Sequence, residues 1–505
     1  MRRTHALLCS VWLSLSLVRC SGGSSGSAGA PGGGDASSDA MSTADGSPDS
    51  PGGNDGGPGS DGQSGDSGNG ADGGGSCLAP GDPGFYATPA VVGSGVRTIQ
   101  VSPGSTPSLA DAFAGAQPGD AIVLAAGTYT QSGGNLVLSS SGTAAHWITV
   151  KAASGAMPTV DLASAGEFTL GASFVLLEGI EMKGGAGNNL HVAPVSHSVD
   201  HVIVRGCKIH SLMSGPGAAI KINSDNTGGY GTSYVYIEGN DLSQSIGNAI
   251  VDGVAVEHAV ARGNDIHDND PGDHGIFFKG GSSEILLEDN LIRGIRGNAA
   301  VQLGGVTGTA YFDPAHPDVE GYDQLARNNL ITDCDDAVVQ IEGCQNARVH
   351  HNTVVSQTGF AIFRLNQGSS STGAASNDTG VDVQNNLVIA TGGSAPQYAR
   401  DDATSTGLSF GRQLWGGSFV NSGSPGPGIP MFPQTGDVVV GAGAIGTVVV
   451  NPSPTGITGL PDALARFALA GGSPARHAGV ADALVPCDIT GAQRSATKPS
   501  MGAFE

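Results

Sequence analysis

Charge is scarce in this chain. Only 13% of its 505 residues are charged, and 22 basic residues face 45 acidic ones, for a formal net charge of −23. So few charges exclude a coiled coil or a helix-rich enzyme. The shortage of Lys and Arg excludes a nucleic-acid-binding face, which needs clustered cations against phosphate. It also denies the chain an unaided grip on an acidic polysaccharide, which would need a bridging cation or a local basic patch. The apolar stretch Ala6 to Val18 is too short to span a bilayer. Beyond residue 20 the cysteines are Cys77, Cys207, Cys334, Cys344 and Cys487, an odd set without metal-site spacing. Cys334 and Cys344 flank one expected strand, which holds them too far apart to bond. No disulfide framework is expected.

Glycine, by contrast, is abundant: 83 residues, about twice the ordinary share. Much of it lies near the start. Arg2 and Arg3 followed by the short apolar stretch read as an export signal over residues 1–20. Leu17-Val18-Arg19-Cys20 resembles a bacterial lipobox, which implies lipidation of Cys20, with Arg19 in place of the usual small residue. Residues 21–76 are almost wholly Gly, Ser, Asp, Ala and Pro, with eight aspartates and no Lys or Arg. Such a segment cannot bury enough apolar area to repay its ordering entropy. It is expected to be a disordered tether, reaching roughly 40 Å. The folded part, residues 77–505, carries −18.

An internal repeat governs that part. Val175-Leu176-Leu177-Glu178-Gly179-Ile180 returns as Val202–Cys207, Val235–Asn240 and Ile285–Asn290, with weaker copies ending at Asn264, Asn329, Asn352 and Asn386. The recurrence has a base period near 24 residues, with insertions, and means stacked units of one size. Each unit holds a second alternating strand, such as Ala219–Ile222, Gly275–Phe278, Ala300–Leu303 or Val338–Ile341. Alternation puts one face inward and one outward. The expected fold is all-β: a single-stranded right-handed parallel β-helix with irregular coils from about residue 392. The asparagines would stack as a buried amide ladder.

Both ends agree. Ser108 to Ala116 is a short amphipathic helix behind a Ser N-cap, placed to plug the first coil. Gln117-Pro118-Gly119-Asp120 through Gly127-Thr128-Tyr129, with Gly472-Ser473-Pro474-Ala475 and Met501-Gly502-Ala503-Phe504-Glu505, resembles the opening and close of bacterial β-helix proteins of the pectate lyase-like superfamily.

Three insertions break the period: Asn223–Ser233, Gly304–Tyr322 and Asn366–Gly380. All follow the second strand, so they should emerge on one side of the coil. The groove beside them would be floored by Lys221, Val251, Phe277, Gln302, Gln340 and Arg364, of which all but Val251 are the substrate-binding candidates, and an elongated groove suits a polysaccharide. Asn269-Asp270-Pro271-Gly272-Asp273-His274, running on to Lys279, resembles the catalytic coil of the alginate lyase and chondroitinase B family. The resemblance implies Ca²⁺ held by Asp270 and Asp273, and Lys279 as the base of a β-elimination. The family's glutamates fall here on Gly272 and His274, and its arginine on Gly304. Arg293 and Arg296, in the intervening turn, are the candidates to replace that arginine. Asp335-Asp336 resembles the paired aspartates of polygalacturonases, without the motifs that follow them. The spacing of His191, His197, His201 and His210 gives no shared face and no metal site, and His350-His351 reads as turn surface.

The expectation is therefore an exported, monomeric cell-surface protein, touching a membrane only through a lipid anchor. It would bind an extracellular uronate-type polysaccharide and cleave it by elimination. A non-catalytic surface or adhesion protein and a glycoside hydrolase are the alternatives.

Overall fold

The computed structural model describes Leu78 and residues 82–505, apart from 165, 214–216, 226–227, 246–247, 271, 357–359, 403, 421–428 and 430. The export signal, Cys20, Cys77 and the glycine-rich segment lie outside the described residues.

Three parallel sheets, here I, II and III, run along the solenoid with thirteen, twelve and ten strands. Each coil contributes one strand to each in turn. Thr232–Glu238, Asp241–Ser243 and Ala249–Val254 make one coil, and Val256–Arg262, Asp265–Asn269 and His274–Lys279 make the next. Successive strands pair in register, as in Val235↔Ala259 and Ile237↔Ala261. Alternation then stacks like on like. Val202, Val235, Ala259 and Ile285 form one inward column, and all are buried.

The bend from sheet I to sheet II takes two residues. The first is left-handed, with φ of +60° at Gly239 and +64° at Gly263. The second is the asparagine. Asn264 Oδ1 accepts from the backbone N and the Nδ2 of Asn240 at 3.0 and 2.9 Å, while Asn264 Nδ2 donates to Ile237 O at 2.9 Å. The same pattern repeats through Asn290, Asn329, Asn352 and Asn386, and ends on Gln413. Cys207 N opens the ladder by donating to Asn240 Oδ1 at 2.9 Å. The ladder is the expected column, one rung longer.

The helix Leu109–Ala114 closes the first coils. Ser108 and Asp111 form a capping box, and Phe113 stacks on Phe168 at 5.2 Å. The irregular region retains some coil: Gln397–Asp401 extends sheet III, and Leu414–Gly416 and Val438–Val440 extend sheet II.

Both chain ends of the folded part fold back over the coils. Residues 82–92 run across sheet I, covering its outward apolar stripe of Leu176, Ile203, Tyr236, Val260, Leu286 and Leu325. Tyr236 Oη donates to Phe85 O at 3.0 Å and Trp147 N to Val92 O at 3.0 Å. Beside that stripe the charges alternate from coil to coil: Lys151, Glu178, Arg205, Glu238, Arg262, Glu288, Arg327. Arg327, buried, closes the row between Glu288 at 2.8 Å and Asp82 of the covering segment at 3.3 Å.

Over sheet II the outward residues Leu291, Leu330, Leu387 and Leu414 are covered by residues 448–504, including the helix Leu460–Phe467. This cover corrects the reading of His350-His351 as turn surface, since both are fully buried. His350 lies 2.9 Å from Asp482 and 3.2 Å from Asp382, and Asn385 Nδ2 donates to His351 Nε2 at 3.0 Å. Cys487, in the covering segment, is disulfide-bonded, against the expectation of no disulfides. Cys344 is a free buried thiol, so Cys334 and Cys344 are not bridged.

Candidate functional site

Sheet III keeps its outward face clear of the two covering segments. Its register aligns Val137, Thr169, His191, Lys221, Asp252, Phe277, Gln302, Gln340, Arg364 and Arg400 in one outward column. Five of the six floor residues expected from the sequence stand in it. The sixth, Val251, pairs with inward-facing Ile220 and is buried, and Asp252 takes its place. The three insertions all leave the ends of sheet III strands and return into sheet I. Two of them are tied together by Glu320. That buried carboxylate accepts from Gly280 N at 2.9 Å, Thr307 N at 2.7 Å and Ser369 N at 3.3 Å.

The middle of the column is covered by its own neighbours. Phe277, Gln302 and Gln340 are only 1–3% exposed. Lys279 folds its ammonium over the Phe277 ring, 4.4 Å from the centroid. Gln340 Nε2 donates to Gln302 Oε1 at 3.0 Å, and both amides donate to Glu342 Oε2 at 3.2 Å. Side chains repeating every ~4.8 Å cover one another. These three residues support the face from beneath and do not present it.

The open part lies nearer the N-terminal end. A cleft of about 270 Å³ is lined by Asn188, His191, Lys221, Asn223, Asn248 and Asp252, with Gly187 and Gly217. Lys221 Nζ sits 2.7 Å from Asp252 Oδ2, which also accepts from Asn248 Nδ2 at 2.7 Å. Burial pushes the Lys221 ammonium below the usual lysine range, against the upward pull of Asp252, and Lys279 adds to the lowering. One coil away, His191 Nδ1 lies 2.7 Å from Glu167 Oε1, and Nε2 lies 2.5 Å from Asn223 Oδ1. Burial raises the Glu167 carboxyl, but its hydrogen bonds with His191, Asn188 and Thr169 outweigh that and hold it below the usual range. Asp252 Oδ1 has no hydrogen-bond partner among the described residues. The cleft therefore offers amides for hydroxyl groups, a half-buried amine, and an imidazole on neighbouring rungs.

The remaining expected residues are scattered. Asp270 and Asp273 are exposed at the corner where sheet II passes into sheet III. Asp273 Oδ2 lies 3.4 Å from His274 Nδ1, and the His274 ring packs edge-on to Phe277 at 5.0 Å. Two aromatic rings thus stand between these aspartates and Lys279, so the three do not form one centre. Calcium takes six to eight oxygens. These aspartates supply two carboxylates, and among the described residues no group of three His, Cys, Asp or Glu is placed to hold a metal. The donor set does not fit a protein-built calcium cage.

Arg293 lies on sheet II, gripping Asp265 by two bonds of 3.0 Å. Arg296 is held at the corner by Asp333 at 2.6 Å and Asp335 at 2.9 Å. Neither arginine faces the cleft. Asp336 and Asp402 each lie 3.3 Å from Arg364, so Asp335 and Asp336 answer to different arginines. His191, His210 and His201 fall on sheets III, II and I. Among the sheet III cations, Lys279 alone has no carboxylate within ion-pairing distance among the described residues. Sequence reasoning missed His191 and Asp252. Both could have been found by carrying the outward alternation one coil earlier and shifting one strand by one residue.

A family model described as right handed beta helix region matches residues 195–406. The chain is a right-handed parallel β-helix. No curated protein sequence matches it. Among solved structures it is similar to the pectate lyase Pel9A, with 16% identity, 83% of this chain and 99% of that chain covered, and a TM-score of 0.48. It is similar to a mannuronic-acid-specific polysaccharide family 6 lyase from human gut microbiota, with 12% identity, coverage of 68% and 91%, and a TM-score of 0.32. It is also similar to PfbA, a surface adhesin of Streptococcus pneumoniae, with 10% identity, coverage of 61% and 85%, and a TM-score of 0.39.

Proposed function

We propose that this β-helix binds an extracellular uronate polysaccharide along the outward face of sheet III and cleaves it by β-elimination in the Lys221 cleft. One observation carries the reading: a half-buried lysine with a lowered pKa, paired to Asp252, lines a polar cleft on the one sheet that neither chain end covers. Elimination requires that the uronate carboxylate be neutralised before its α-proton can leave. Lys279 is the cation available for that, and it acts on Lys221 electrostatically. Lys221, neutral, takes the proton. The expected role of Lys279 as base thus passes to Lys221, and Lys279 becomes the carboxylate's partner. The net charge of −18 on residues 77–505 makes a local cation such as Lys279 necessary for an acidic polymer.

The first twenty residues support export, and Cys20 supports a lipid anchor, with the Gly/Ser/Asp segment as tether. The non-catalytic alternative is favoured by a different observation, that the middle rungs are sealed. Incubating the folded chain with polyuronates separates the two. Ultraviolet absorbance of an unsaturated product supports elimination. Retention of the polymer without that product means a binding module. New reducing ends without unsaturation mean a hydrolase.

A further inference from the structure

The cleft holds a second group that can move a proton. His191 and Lys221 are register partners on adjacent sheet III strands, about 4.8 Å apart, and both line the same cleft. His191 is anchored at both ring nitrogens. Glu167 holds Nδ1, and Asn188 Nδ2 and Thr169 Oγ1 hold Glu167 in turn, at 2.7 and 3.4 Å. Nε2 is held by Asn223 Oδ1, beside the cleft. The groups facing the imidazole are thus Glu167, Asn188 and Asn223, with Thr169 and Lys221 on the flanking strands. Asn223 Nδ2 donates to Ser224 O, so its Oδ1 is the atom that faces Nε2, and Nε2 presents an N–H to it.

The order along the column then matters. Two rungs beyond Lys221 on one side stands Phe277, with the ammonium of Lys279, two residues further along that strand, folded over its ring, and His191 stands one rung away on the other side. A polymer lying along the solenoid axis would place a uronate carboxylate toward Lys279, its α-carbon over Lys221, and the glycosidic oxygen toward His191.

We infer that His191 is the proton donor to the leaving glycosidic oxygen, an assignment that rests on the elimination reading above. Neutral Lys221 takes the C5 proton, and the electron pair of that C–H bond forms the C4–C5 double bond. The C4–O4 bond breaks, and O4 takes its proton from His191 Nε2, now directed away from Asn223. Lys221 is left as ammonium and His191 as neutral imidazole. Proton exchange with water restores both, so no oxidant or co-reactant is needed. Glu167 is a positioning residue, holding Nδ1 so that Nε2 faces the cleft.

The test is His191→Gln in the full chain, assayed on a polyuronate and on a synthetic uronide carrying nitrophenolate at C4, a leaving group that departs without protonation. On the polymer, kcat should fall roughly 10²–10⁴-fold, the span of one general acid. Polymer binding and the thermal unfolding midpoint should stay as in the native chain, and the nitrophenolate substrate should be turned over at near-native rate. Glu167→Gln should lower kcat on the polymer with KM near the native value, and leave the nitrophenolate substrate unaffected, because the ring loses the anchor on Nδ1. Equal losses on both substrates, or no loss on the polymer, would overturn the assignment while leaving elimination standing. A native chain inert on both substrates would instead overturn the elimination reading and this assignment with it.

Discussion

Lys221 and Asp252, register partners on adjacent coils, form an ion pair of 2.7 Å in which Asp252 is 2% exposed and its second oxygen has no partner among the described residues. Two effects oppose each other at Lys221. Burial lowers its pKa and Asp252 raises it. Asp252→Asn removes the raising partner, so the neutral amine should persist to lower pH. The acid limb of the rate–pH profile should therefore shift toward acid, with a fall in turnover from lost positioning. A shift toward alkali would contradict Asp252 as the opposing charge.

The asparagine ladder predicts a sharp stability difference. Asn290 Oδ1 accepts from the backbone N and Nδ2 of Asn264, and its own Nδ2 donates to Ala261 O and Asn329 Oδ1. Asn290→Leu leaves two buried donors and one backbone acceptor short of a partner, at about 1–3 kcal/mol each. Thermal or denaturant unfolding should show a loss of several kcal/mol. Gln302→Leu should cost less, since Gln340 keeps Glu342 as an acceptor.

How much of this was legible follows from range. The ladder could be read because one residue type recurs at the coil period. Its last rung was hidden because Gln413 changes the type. The outward column of sheet III could be read from alternation, and failed at Val251 by one residue of register. That Phe277, Gln302 and Gln340 face outward yet are covered could not be read, because parity says nothing about what lies over a side chain. The covering segments were equally invisible. Tyr236 and Phe85 bond across 151 positions, and Arg494 and Asn328 across 166, with no local pattern at either end.

The segment over sheet I should depend on Arg327. It is buried between Glu288 and Asp82, and its Nη1 also donates to Leu484 O in the other covering segment. Arg327→Met removes the cation that Glu288 and Asp82 share, while Glu288 keeps Arg262 at 2.9 Å, and should cost about 3–5 kcal/mol, the range for a broken buried pair. Limited proteolysis should then cut residues 82–92 before the solenoid. Protection equal to the native chain would show that the apolar stripe alone holds the segment.

His350 and His351 should pull stability in opposite directions with pH. Burial lowers His351 well below its ordinary 6.5, with Arg494 and His350 adding to the effect. The unfolded chain therefore binds the proton that folded His351 refuses. Its contribution is present above about pH 6.5 and is lost as the solution becomes more acid. Burial also lowers His350, but its hydrogen bonds to Asp382 and Asp482 outweigh that and raise it. Its contribution is full below 6.5 and is lost as pH rises through the folded value. His351→Gln should thus flatten the acid side of the stability profile, and His350→Gln the other side, in unfolding midpoints measured from pH 5 to 9.

The central claim is that the sheet III cleft cleaves a uronate polymer with Lys221 as the base, and the ultraviolet absorbance of the reaction tests it most directly. Native chain on a panel of polyuronates should produce the absorbance of an unsaturated sugar on at least one of them. Lys221→Ala should reduce that rate roughly 10²–10⁴-fold with the solenoid still folded, and Lys279→Ala should lower kcat as well as raise KM, because the carboxylate loses its neutralising cation. A Lys221→Ala chain as active as the native one, or a native chain that yields no unsaturated product from any polyuronate, would contradict the account.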